Sequence, residues 1–217
     1  MSETLALINI GFLLLLVLIG LALYPKLTRS YRLLLGIQVL TFLSAVVQWY
    51  MGKYYGYNNI ILHIYTLLNA VLFGLMYHSV MLHRKSKLFV LIASTALLLF
   101  WVADSFFIQG VRAYPHYELI AISIVYVTFA LLSNYEMIRY SKEDHVTRSS
   151  IFWVNSSVIL FFSINFIFWS LYGYLVRIKA PIRFDLIKVL WWLNFVHYAF
   201  FTVAIYLNSR KIQSSEN

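Results

Sequence analysis

Five side chains in this sequence combine the chemistry of a binding or proton-handling site with surroundings that make them costly: His63, Asp104, Glu118, Asn194 and His197. Each lies in or at the mouth of a long apolar run. Ionisable groups in such runs are expensive, and each is a functional hypothesis by default. Imidazole and carboxylate exchange protons near neutral pH, and the amide of Asn194 can orient a ligand by donating and accepting together. Asn194 and His197 stand three residues apart, which places them on one face of a helix. Gln48 and Asn165 add amides from two further apolar runs, whereas His78, Glu136 and Asn155 fall near the opposite ends of theirs. Two readings follow for all of them: hydrogen bonding between helices that fixes a bundle, or a ligand or proton site.

Several chemistries are excluded. There is no Cys, so no disulfide, thiolate metal site or cysteine nucleophile exists. A membrane zinc hydrolase would need two His four residues apart on a late helix, but the position four after His197 is Phe201. His78 and His83 are five apart at a helix end, a poor geometry for one metal. Lys188, the candidate for a Schiff base, sits at the edge of its apolar run and reads as an interfacial anchor. No Gly-rich phosphate loop and no nucleophile elbow occurs. No catalytic residue, metal or cofactor is therefore expected.

The elements that must position these groups follow from composition. The 217 residues are 62% hydrophobic and only 12% charged, with a mean hydropathy of +0.77. A water-facing domain carries about twice that share of charge. The natural solvent of this chain is lipid. A bilayer core about 30 Å thick needs roughly 20 apolar helical residues, and seven such runs are present: 5–24, 33–51, 60–82, 88–109, 119–137, 151–176 and 189–207. Breakers such as Pro25, Gly52, Gly56, Gly110, Pro115 and Pro181 separate them. The expectation is an all-α polytopic bundle forming a single transmembrane domain over 1–217. The first run lacks a basic leader, contains Glu3 just before it and has no cleavage site, so it reads as a retained helix.

The net charge of +9 would suit nucleic acid in a soluble protein. Here the basic residues cluster between spans, and no nucleic-acid partner is expected. One side (loops 1–2, 3–4 and 5–6 and the tail) carries eleven Lys and Arg, including Lys142, Arg148 and Lys211, against six on the other. The positive-inside rule then puts the amino terminus outside and the carboxyl terminus in the cytoplasm. Loop 6–7 departs from the rule with Arg177, Lys179, Arg183 and Lys188. These either snorkel to lipid phosphates or form an electropositive mouth, which Asp185 would partly neutralise.

Helical phase indicates facing. Gln38, Thr41, Ala45 and Gln48 share one stripe of span 2, and His63, Ala70 and Gly74 one stripe of span 3. Small and polar stripes normally face other helices. His197 is expected to point inward and bond a group such as Asn165 or Asp104. Asp104 and His63 lie at similar depth on adjacent spans, so either they form a direct pair or Asp104 reaches the outer headgroups. The 40 aromatic residues, 18% of the chain, include interfacial belts such as Tyr54, Tyr55 and Tyr57; an aromatic-lined pocket opening outward is the sharper reading.

Three segments carry a family resemblance: His63-Ile64-Tyr65-Thr66, Phe152-Trp153-Val154-Asn155 running to Leu160-Phe161-Phe162-Ser163, and Trp191-Trp192 before His197. Together they resemble bacterial seven-helix membrane proteins that are similar to the membrane sensor regions of histidine kinases. Only a short polar tail to Asn217 follows span 7, without a kinase or other output domain. The resemblance implies a multi-pass protein of the bacterial inner membrane, surrounded by lipid. The resemblance bears on topology more than on signalling. The polar groups of the spans lead to the expectation of a sensor or receptor-like module that binds a small or lipidic ligand through His63, Asp104, Glu118, Asn194 and His197 and passes a helix shift to a cytoplasmic protein partner. A membrane-embedded enzyme or small transporter using the same groups is the alternative.

Overall fold

The computed structural model describes residues 3–140, 149–179 and 182–216, though not the side chains of 3, 183–185, 187 and 211–216. Lys142, Arg148 and Pro181 lie outside the described residues, and so do the side chains of Glu3, Arg183, Asp185 and Lys211. Seven helices are present: α1 (Glu3–Leu23), α2 (Arg29–Tyr54), α3 (Asn59–Val80), α4 (Arg84–Ala103), α5 (His116–Tyr140), α6 (Ser150–Arg177) and α7 (Ile182–Glu216). All seven are long and apolar enough to cross a membrane. Most overrun the apolar segments, because charged ends such as Arg29–Arg32 keep hydrogen-bonding as helix after hydropathy has fallen.

The helices close into a ring. α1 packs on α2 and α7, α2 on α3, α3 on α5, α5 on α6 and α6 on α7, while α4 lies outside in the groove between α3 and α5. The outer surface is studded with exposed Leu, Ile, Val and Phe such as Leu15, Leu18, Leu91, Leu99, Ile138 and Ile167. An apolar exterior of this extent calls for an apolar solvent. This is a polytopic helical bundle of membrane type.

Lipid is as apolar as leucine, so burial alone gives such helices little reason to associate; close packing and hydrogen bonds between helices supply it. Close packing is visible at Gly74, where a Cβ would come 2.5 Å from Ser94 Oγ on α4. At the centre Phe73 stacks on Tyr126 with ring centroids 4.2 Å apart, and Tyr77, Phe129 and Phe201 fill the space around them.

Polar contacts lock both ends. At one end the Tyr57 hydroxyl donates to the Val111 carbonyl and the Asn59 amide to that of Arg112, tying loop 2–3 to loop 4–5. At the other, the Thr28 N–H donates to Asn208 Oδ1, joining the start of α2 to α7. There Glu136 accepts from the backbone N–H groups of Leu82 (2.6 Å) and His83 (3.4 Å). A carboxylate at the start of α4 satisfies donors that the helix leaves open and complements its dipole.

One element departs from the sequence expectation. Span 4 does not run on as α-helix to residue 109. It ends at Ala103 and widens into a single π-turn, Asp104–Ile108, closed by the Gln109 N–H on the Asp104 carbonyl at 2.9 Å. The turn points Asp104 and Ser105 inward and leaves Phe106, Phe107 and Ile108 exposed. Gly110, at φ +79°, then turns the chain toward α5.

Candidate functional site

His63 on α3 and Glu118 on the first turn of α5 form the centre of a buried polar cluster. His63 Nδ1 lies 2.6 Å from Glu118 Oε1, and both side chains are 1% exposed. Ser105 of the π-turn donates to Oε1 at 2.9 Å and Thr66 donates to Oε2 at 2.6 Å. The other imidazole nitrogen, Nε2, is 3.1 Å from the Ala113 carbonyl. The Trp101 indole N–H reaches across from α4 to the His63 carbonyl at 2.9 Å. Three helices and one loop therefore meet at this pair.

The proton count follows from these partners. A carbonyl only accepts, so Nε2 carries a hydrogen. One further proton lies between Nδ1 and the Glu118 carboxyl. Whether it is written on nitrogen or oxygen, the pair is neutral overall, which makes its burial in an apolar bundle tolerable. The proton can pass between nitrogen and oxygen without changing the charge of the interior.

Asp104 does not pair with His63, contrary to the first of the two sequence expectations. It makes no ion pair or hydrogen bond with that imidazole, because Glu118, a turn into the next helix, occupies the position instead. Asp104 is fully buried, and neither of its carboxyl oxygens has a hydrogen-bond partner among the described residues. Among the described residues no three His, Asp or Glu side chains converge as a metal site.

The second feature is a cavity of about 350 Å³ inside the ring, walled by every helix except α4. Its surface is aromatic, with Tyr65, Phe73, Phe161, Phe162, Trp169 and Tyr198 prominent, and is interrupted by neutral polar groups. No charged side chain lines it. His197 is 3% exposed and borders the cavity from α7. Its Nδ1 is 2.7 Å from Ser157 Oγ on α6, and its ring stacks on Phe161 with centroids 4.4 Å apart. It points inward as expected, but its partner is Ser157 and not Asn165 or Asp104. Asn165 is already used, donating to the Phe161 carbonyl and accepting from Trp169. Asn194 is half-buried, lines the cavity and hydrogen-bonds to no described residue.

The five sequence candidates thus fall into two groups. Asn194 and His197 face the cavity; His63, Glu118 and Asp104 lie behind its wall. Thr66 connects the groups, since it borders the cavity and donates to Glu118. Sequence reasoning missed Thr66, although its i+3 spacing from His63 was a signal. It also missed Asn9, an amide in the most apolar helix, which lines the cavity with its carbonyl oxygen buried and without a partner among the described residues.

Fold and site together define a polytopic all-helical bundle with a neutral, aromatic internal cavity and a separate buried acid–imidazole cluster. Comparison with protein-family models, curated proteins and solved structures gave no match.

Proposed function

We propose that this chain is a sensor or receptor-like module of a bacterial inner membrane, acting as one bundle over its length and binding a small or lipidic ligand in the internal cavity. The observation that carries this reading is the cavity itself. Pockets for small molecules are typically about 300–1,000 Å³, mostly apolar, with a few placed polar groups, and about 350 Å³ walled by aromatic, amide and hydroxyl groups matches that description. Thr66 offers a mechanical link: a ligand that displaced it would disturb Glu118 and the π-turn. The shift would be transmitted through the helices to a protein partner in the cytoplasm.

A single-chain uncharged probe tests the reading. Monolauroylglycerol bearing a photoactivatable diazirine on its chain, used on the full chain in nanodiscs, is expected to label cavity-lining positions of α2, α6 and α7. Asn194→Trp should abolish that labelling while the protein stays monodisperse, because the side chain fills space without breaking a hydrogen bond. Labelling confined to lipid-facing positions and indifferent to Asn194→Trp would refute the reading. The unpartnered Asp104 favours one rival, a small proton-coupled transporter; flux in liposomes that disappears in Asp104→Asn would replace the receptor with it.

Orientation belongs to the same proposal, with loops 2–3, 4–5 and 6–7 outside and the carboxyl terminus in the cytoplasm. The bias of basic residues supports it. Reporter fusions after Asn217 and within loop 2–3 should report opposite compartments; matching compartments would overturn it.

A further inference from the structure

A second chamber of about 360 Å³ adjoins the cavity at the loop 2–3 end. It lies between Ala6–Ile10 of α1 and Ala45–Lys53 of α2, with Asn58 and Trp191 completing its wall. Asn9, Ala45, Gln48 and Trp191 border both chambers, so the two adjoin at a neck formed by those residues. The chambers differ in character. The inner one holds no charged group and extends along α2 from Gln48 back to Ile37, a depth of roughly 16 Å at about 1.5 Å rise per residue. The outer one is bordered by Lys53, whose ammonium lies 5.2 Å from the Trp49 ring, and by the Asn58 amide. An uncharged chamber that adjoins one bordered by an ammonium suits an amphiphile, with its chain in the first and its polar head in the second.

The neck adds a chemical requirement. Asn9 is 7% exposed, and its Oδ1 is buried with no hydrogen-bond partner among the described residues. A buried acceptor left unmatched is unfavourable, and native structures rarely keep one without a reason. The other amide at the neck does not serve it; Gln48 Nε2 donates to Ser44 Oγ at 2.7 Å.

Resting on the cavity-binding reading above, we infer that the ligand is a single-chain amphiphile whose chain fills the inner cavity, whose polar head occupies the outer chamber, and whose linker donates an N–H or O–H to Asn9 Oδ1. Two sources share this chemistry: a lysophospholipid with its free glycerol hydroxyl, and an N-acyl amino acid with its amide N–H.

The test uses the full-length protein in nanodiscs and competition against the diazirine probe. N-lauroylglycine and N-lauroylsarcosine have the same chain and charge and differ by one N-methyl group, which removes the donor. The glycine compound should compete about tenfold more tightly, the scale of one hydrogen bond. Asn9→Leu should erase that ratio, and Ala45→Phe at the neck should weaken both compounds. Because the ratio is measured on the unmodified protein, it stands even if Asn9→Leu fails to fold. Lauroyl-lysophosphatidylglycerol run in parallel separates the sources: tighter competition than N-lauroylglycine assigns a membrane lipid, weaker competition an N-acyl amino acid. If both lauroyl amino acids compete equally, or the sarcosine compound wins, the donor requirement is wrong although the cavity still binds. If neither competes while the probe labels the cavity, the amphiphile assignment falls and cavity binding survives. If the probe does not label the cavity, both fall.

Discussion

Glu118→Leu is expected to cost the bundle about 3–5 kcal/mol, the range found when one partner of a buried pair is removed. The side chain shares a proton with His63 and accepts from Thr66 and Ser105 at once. Its loss leaves Thr66 only the His63 carbonyl at 2.8 Å, and leaves Ser105 and the imidazole Nδ1 only each other at 3.2 Å. Thermal unfolding in nanodiscs, followed by helical circular dichroism, should show a large drop in midpoint or loss of the folded protein. His63→Leu should also destabilise, by leaving a buried carboxyl with two hydroxyl donors and no imidazole. The double variant His63→Leu/Glu118→Leu decides the interpretation. An apolar pair of similar size in place of a buried polar one is often neutral, so the double variant should be more stable than Glu118→Leu alone. Strict additivity would mean that the two side chains act independently and that the shared proton is not the organising feature.

What the sequence made legible tracks the range of the forces involved. The spans were readable because roughly 20 apolar residues and the charged breaks between them are local properties. The inward stripes were readable from spacing alone: Gln38, Thr41 and His63 are all buried. The partners were not. Asp104 and Glu118 are fourteen positions apart in sequence, and which of them meets His63 depends on the π-turn and on the path of loop 4–5. Neither leaves a periodic signal. The inward direction of His197 was set by its place on α7, but its choice of Ser157 depended on the register between α6 and α7. Asn9 was passed over because one amide barely lowers the hydropathy of α1; only the shape of the neck gives it meaning.

Asn155 should be the polar anchor at the opposite end, and its replacement the second large effect. It is fully buried on α6 and joins three helices: Oδ1 accepts from the Tyr77 hydroxyl of α3 at 3.1 Å, while Nδ2 contacts Ser133 at 3.0 Å and Asn134 at 2.8 Å on α5. Single interhelical hydrogen bonds in membranes average about 0.6 kcal/mol. Three at one residue, with their partners stranded together, put Asn155→Leu at about 2 kcal/mol. Tyr77→Phe removes one bond and no ring packing, so it should cost about 0.6 kcal/mol on the same scale. Unfolding midpoints in nanodiscs measure both. The ratio between them is the informative quantity, because it separates a network from a lone contact. If Tyr77→Phe alone cost as much as Asn155→Leu, α3 would be held by that single hydroxyl and the bonds to α5 would contribute nothing. If Asn155→Leu were silent, helix packing around Phe129 and Val158 would suffice at this end, and the polar anchoring of the bundle would reside in the Glu118 cluster.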